Sequence, residues 1–189
     1  IMIFNNSLNF INFSYIFTKK KIRSLYLNSN IYNRKITPST ISSLDYRPSP
    51  NFLNSFIKYD KKKINIENYS LNKIWDHKNL KAKDYKNLNS FFWLFSLDLK
   101  SSKKDTQDII LQWIDKNHRY NSKSWEFDIA AKRVIAWTSN SRLTYEDSSA
   151  EYKNSFNGII KKQINHLINE INRSEWVDDK MIGLSLIHI

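Results

Sequence analysis

The sequence contains no cysteine, two glycines (Gly158 and Gly183) and three prolines (Pro38, Pro48 and Pro50) among its 189 residues. Without cysteine there is neither a disulfide framework nor a thiolate metal site, although that absence assigns no compartment. So few glycines and prolines argue against a turn-dense sandwich or barrel, and against a glycine-rich loop that cradles phosphate. Helices are what remains. Acidic residues are scarce in the first half: residues 1–100 hold 17 Lys and Arg against 6 Asp and Glu, whereas residues 101–189 hold 13 against 12. Long apolar runs are missing as well, because the stretch before "KKKIR" is interrupted by Asn5, Asn6, Ser7, Asn9 and Asn12. It is too short and polar to span a membrane, so no transmembrane segment is expected. Its charges follow the apolar part, where a secretory leader would place them ahead of it. We expect a peripheral helix of the fold there, with a membrane-surface helix as the alternative. The compartment, periplasmic or cytoplasmic in a bacterial-type cell, stays open.

What is present is enough for a core. Apolar residues make up 41% of the chain and aromatics 14%, which excludes wholesale disorder and suits one domain or part of one. The net charge of +12 invites a polyanionic partner, since summed positive charge steers polyanions toward a protein. A coding bias offers a blander source, because Lys and Asn each occur 23 times and Ile 25 times, as an AT-rich coding sequence would produce.

The chain divides by pattern. Residues 1–70 read as a basic segment and connector, with one helix, short strands around "KYDKKKINIE", and X-Pro steps in "TPSTISSLDYRPSPN" that impose extended or turn backbone. Residues 71–183 read as a helical domain. "DYKNLNSFFWLFSLDLK" (84–100) places Tyr85, Leu88, Phe92, Phe95 and Leu99 on one helical face, widened by Trp93 and Leu97 until the helix is apolar almost all round. "SSKKDTQDIILQWIDKN" puts Asp105 and Asp108 in a first turn and Ile109, Ile110, Trp113 and Ile114 in a core stripe. "WEFDIAAKRVIAWTSNS" (125–141) gathers Phe127, Ala130, Ala131, Val134 and Trp137 on one face and pairs Asp128 with Lys132 on another. A fourth, longer helix repeats apolar positions from Tyr152 to Ile171. Short polar loops between successive helices predict antiparallel hairpins. The start at Ile1 and the ending "MIGLSLIHI" predict a fragment of a longer chain, with residues 184–189 set apart as a non-native tail.

Chemistry is thinly marked. The stretch 125–141 carries no nucleophile, no paired carboxylates and no metal-ligand spacing, and no metal and no cofactor is expected in the chain. His77, His118 and His188 lie in different segments. Asn165 and His166 form the one amide–imidazole pair that could neutralise a substrate carboxylate and share a proton, against the reading that they face solvent. Trp93, Trp113 and Trp137 are expected in the core. Trp125, at a loop-to-helix junction, is the tryptophan expected to look into a cleft and stack on a sugar. Arg133 stands on an apolar helix, either anchoring a buried carboxylate, Asp98 or Asp115, or binding a uronate or sulfate. Trp125, Arg133, Asn165 and His166 are the substrate-binding candidates.

The order of the pieces "LNSFFWLFSLDLKSS", "DIILQWIDKN", "SWEFDIAAKRVIAWTSNS" and "KQINHLINEI" resembles the N-terminal helical domain of heparinase II/III-like proteins, over roughly residues 84–183. Trp125, Arg133 and Trp137 resemble that family's W…R…W helix. The resemblance implies an all-α partial α/α toroid followed, in the parent protein, by a C-terminal β-sandwich domain that this chain lacks. It also implies a polysaccharide lyase: a tyrosine or histidine takes the C5 proton of a uronic acid, an asparagine or histidine neutralises its carboxylate, and the 4-linked sugar leaves by β-elimination. Asn165 and His166 do not match the family's asparagine–histidine pair, because the surrounding pattern differs, so no catalytic residue is carried over. The expected partner is an acidic polysaccharide, such as a glycosaminoglycan, in preference to nucleic acid, and the fragment alone is expected to be inactive. The alternatives are a non-catalytic helical module for nucleic acid or another polyanion, and a purely structural helical domain.

Overall fold

The computed structural model describes residues 2–41, Trp75, 81–96 and 103–173. Within them lie seven α-helices: α1 (Met2–Leu27), α2 (Asn30–Ile36), α3 (Ala82–Ser90), α4 (Lys103–Asn117), α5 (Phe127–Ser139), α6 (Ser141–Thr144) and α7 (Ala150–Glu170). Two 3-10 turns, Phe92–Ser96 and Ile171–Arg173, complete the inventory, and no strand occurs among the described residues. The fold is all-α. The strands expected around "KYDKKKINIE", and His77, Asp98, Trp176 and His188, lie outside the described residues. The chain forms two compact units, residues 1–35 and 36–189.

In the first unit α1 and α2 are joined by a tight turn in which the Ser29 hydroxyl accepts the Tyr32 N–H, and Tyr26 meets Tyr32 edge to face at 5.2 Å. No described helix is long and apolar enough to cross a membrane.

In the second unit α5 is the central element. From Ile129 to Thr138 every residue except Lys132 is buried. Ala130, Ala131 and Ala136 are completely enclosed, and their small side chains suit the close packing of α3 and α7 against this helix. Helix α4 packs on α6 and α7 through Ile109, Ile110, Trp113 and Ile114, the stripe its spacing predicts. Asp105 occupies its first turn and Lys116 its last, both favourable to the helix dipole; Asp108 falls one turn later. Helix α7 starts where the Ser149 hydroxyl accepts the Tyr152 N–H at 3.2 Å, and buries Tyr152, Phe156, Ile159, Ile160 and Leu167.

The aromatic run at 91–95 departs from the single helix that its pattern predicts. Helix α3 stops at Ser90, whose Oγ donates to the Asn87 carbonyl and accepts the Phe92 N–H. Phe91 takes a left-handed backbone with φ 57°, its N–H bonded to the Leu88 carbonyl, and the chain continues as a 3-10 turn. The reason is packing. Residues two apart point to nearly opposite sides of an α-helix, yet the break lets Phe91 and Trp93 stack together at 5.3 Å, both buried. Phe91 then becomes the hub of the core, with Trp75 at 5.4 Å, Trp113 at 6.3 Å and Trp137 at 5.0 Å.

Candidate functional site

Two of the four candidate residues, Trp125 and His166, come together, but inside the protein, and a third, Arg133, bonds to the carbonyl of neighbouring Ser124. The loop before α5 is closed by the Asn121 side chain, which accepts the Lys123 and Ser124 N–H groups, and it delivers Trp125 to the base of the helix. Trp125 is fully buried, its indole N–H donating to the Asn117 carbonyl at the end of α4. It therefore opens onto no cleft, contrary to the expectation for a loop-to-helix junction. His166, on the buried face of α7, meets Trp125 edge to face at 5.6 Å and Tyr120 at 5.4 Å, and its Nε2 lies 3.0 Å from the Trp125 carbonyl. The imidazole is a joint between α7 and the loop. Asn165, one residue earlier, turns the other way and donates to the Ile36 carbonyl at 2.9 Å. The pair is thus split between two structural contacts instead of facing solvent or one ligand together.

Arg133 is the most enclosed charge, with no exposed surface. Its Nε donates to Gln163 Oε1 at 2.7 Å, and Nη1 donates to the Asn89 and Ser124 carbonyls, each at 2.9 Å. The guanidinium also lies over the Trp113 ring at 3.9 Å from its centroid. Of the two expected carboxylates, Asp115 is exposed and is not its partner, and Asp98 lies outside the described residues. The acceptors are instead two carbonyls, one at the end of α3 and one in the loop before α5, together with an amide of α7. One side chain on α5 thereby ties three segments together. Burial pushes the Arg133 pKa well below the ordinary arginine value. The nearby Tyr85 phenol is raised by its own burial, against the pull of its hydrogen bond with Ser124 and of the Arg133 charge. Arg133 Nη2 and Gln163 Nε2 find no acceptor among the described residues.

A surface site lies on the other side of the same helix pair. Between α3 and α5 opens a cleft of about 350 Å³, lined by Lys83, Lys86, Ser90, Asp128, Ile129 and Lys132. Lys83 and Lys86 stand one turn apart on α3, and Lys132 faces them from α5. Lys86 pairs with Glu126 at 2.7 Å, an exposed contact that a ligand anion can compete for. The expected Asp128–Lys132 pair gives way to another arrangement: Lys132 Nζ sits 5.9 Å from the Phe92 ring centroid, and Asp128 Oδ1 is buried with no hydrogen-bond partner among the described residues. The cleft is thus lined by three lysines and one aspartate, with Glu126 paired to Lys86 and the Ser90 hydroxyl already bonded within the chain turn. Such a site suits a carboxylate or sulfate ester carried by a hydroxyl-rich molecule. Sequence reasoning missed it, because the lysines of α3 and α5 are 46 residues apart at their closest in the chain and only the packing of the helices joins them. Among the described residues no group of three His, Asp or Glu side chains is assembled to hold a metal ion.

No family model, no curated protein and no solved structure matches the chain. The functional reading therefore rests on the geometry of the cleft and on the order of the sequence motifs.

Proposed function

We propose that this chain is the N-terminal helical part of a heparinase II/III-like polysaccharide lyase, and that its α3–α5 cleft holds an acidic sugar unit of the substrate. The observation that carries the reading is the cleft, where Lys83, Lys86 and Lys132 line a volume of about 350 Å³. The W…R…W helix supports it from a second direction. Trp125, Arg133 and Trp137 are all buried and tie α5 to its neighbours, a scaffold role that suits a recurring element of a helical toroid. On this reading the groups that remove the C5 proton and neutralise the carboxylate lie in the rest of the parent, and the residues described here bind and orient the polymer. Positive charge in the cleft attracts an acidic sugar unit and holds the polymer in register for those groups.

The test uses the parent chain, extended beyond Gly183, and follows the absorbance of unsaturated uronates with heparan sulfate, alginate and polygalacturonate. A rise with any one polymer establishes β-elimination. A folded protein that produces none with all three overturns the lyase reading. Binding is checked separately with Lys132→Glu, which is expected to weaken retention on the active polymer by about tenfold, the effect of losing one close charge contact and adding a like charge. Unchanged retention would remove the α3–α5 cleft from the substrate path.

The excess of basic residues in the first half favours one rival, a non-catalytic polyanion-binding module. That module would bind single- or double-stranded nucleic acid as tightly as the polysaccharide, with a steep loss of affinity as salt is raised. A clear preference for a uronate polymer at equal ionic strength decides against it.

A further inference from the structure

Arg133 and Gln163 are both fully buried, and each keeps a nitrogen whose hydrogens nothing receives. Arg133 Nη2 and Gln163 Nε2 are enclosed without an acceptor among the described residues. Each of these nitrogens carries two hydrogens, so the pair brings four N–H groups into the core unanswered. Buried polar groups are almost always paired, and orphaned donors on two touching side chains call for an acceptor.

Covalent geometry sets these donors side by side. In a guanidinium the Nε–H and one Nη2–H point the same way, as the prongs of a fork that a carboxylate fits with its two oxygens. Gln163 meets the fork with an amide instead. Its Oε1 accepts from Nε at 2.7 Å, and its Nε2, bonded to the same carbon, is thereby brought to the side on which the Nη2 prong points. The amide answers one prong and adds donors beside the other. Arg133 Nη1 is occupied by the Asn89 and Ser124 carbonyls, and one face of the guanidinium by the Trp113 ring.

The charge is unanswered too. No carboxylate pairs with Arg133 among the described residues, and the Tyr85 phenol, the titratable group that acts on it, is neutral at physiological pH because its burial raises its pKa above 10.0. Surplus donors around a buried cation select an anion. A water would bring two further hydrogens to a place already rich in donors and would leave the charge as it is. An anion accepts the N–H groups and supplies the missing charge. It has to be small, because Arg133, Gln163, Ser124 and Trp113 are all fully enclosed.

We propose that a chloride ion is bound in the core between α5 and α7, held by Arg133 Nη2 and Gln163 Nε2, and serves as the counter-ion of the guanidinium. The two side chains meet only when the helices pack, so the ion joins the folded state alone and stabilises it by mass action. The site is separate from the α3–α5 cleft and independent of the lyase reading.

Urea unfolding of the full chain at constant sodium and ionic strength, with chloride replaced stepwise by gluconate, tests it. Gluconate is too large for an enclosed site. The folded-to-unfolded ratio is expected to rise with chloride, approaching about tenfold for each tenfold increase in the ion. Gln163→Glu supplies a carboxylate that fits both prongs and carries its own counter-charge, so this variant should lose the chloride dependence. Crystals grown in bromide give a reading that needs no variant: an anomalous peak is expected within hydrogen-bond distance of Nη2 and Nε2. Equal stability in chloride and gluconate overturns the proposal. So does a chloride response that Gln163→Glu leaves unchanged, or a water or a carboxylate side chain against Nη2 where the bromide is expected.

Discussion

Arg133 shows how a single residue carries both the family resemblance and the local structure. A buried cation is costly to desolvate, and no carboxylate pairs with this one among the described residues, so its hydrogen bonds to Gln163, Asn89 and Ser124 and its contact with Trp113 offset that cost. Lysine offers a point charge in place of a fork and cannot serve these acceptors together. Arg133→Lys is therefore expected to destabilise the protein by about 3 kcal/mol or more in urea unfolding, within the range for breaking a buried charge network. Arg133→Met combined with Gln163→Leu should cost less than the sum of the single changes, because each single change strands the other partner. Strict additivity in that double-mutant cycle would show that the two side chains act independently. Phe91 poses a second residue-scale question, since a bulky side chain holds a left-handed backbone while touching four tryptophans. Phe91→Ala should cost about 3–5 kcal/mol for the lost packing. Phe91→Gly removes more volume yet should cost about 1 kcal/mol less than the alanine, because glycine accepts positive φ without strain. A glycine variant less stable than the alanine would mean that the backbone there carries no strain.

At the scale of elements, the helical period predicted α4, α5 and α7, because each carries an apolar face packed against its neighbours. The same period failed across Phe91, where an all-round apolar run gives no phase and the side-chain oxygen of Ser90 bonds across the break. The partners of Arg133 were illegible for a related reason: carbonyl oxygens belong to every residue and leave no trace in a sequence. The burial of Trp125 was hidden too, since only the end of α4 and the face of α7 supply its cover. Helix α7 allows a test in which two substitutions on one element move stability in opposite directions. Ser149→Ala removes the hydroxyl that caps the Tyr152 N–H and is expected to cost about 1 kcal/mol. Gly158 lies mid-helix, where an added Cβ would stand 3.3 Å from the Cδ1 of Ile41, the free end of a half-exposed side chain. Ile41 can yield by a few tenths of an ångström at little cost, so Gly158→Ala should stabilise by about 0.5–1 kcal/mol. Thermal unfolding of both variants checks the pair, and a destabilised Gly158→Ala would show that Ile41 is held more firmly than its exposure implies.

For the whole molecule the governing quantity is charge. At +12 and a pI near 9.7 the folded chain repels itself at neutral pH, and the repulsion fades as pH approaches the pI. Lys162 adds a local component of the same sign. It is buried on α7 against the His118 carbonyl, and its pKa is lowered from 10.5, first by burial and then by the nearby Arg119 charge. Between the lowered folded value and 10.5 the unfolded chain binds more protons than the folded one, so stability rises with pH through that window. Tyr85 acts oppositely, because its pKa is raised above 10.0 in the fold. Its contribution is complete below 10.0 and is lost as pH climbs through the folded value. The urea midpoint should therefore increase with pH above neutrality and turn down only above 10.0, where Tyr85 begins to titrate in the unfolded chain, an alkaline displacement of the usual optimum. Lys162→Met removes one titrating group while keeping its stem in place, and should flatten the rising limb without touching the fall that Tyr85 produces. If the rising limb is equally steep in wild type and variant, self-repulsion alone sets it and Lys162 keeps its proton at no cost in the fold.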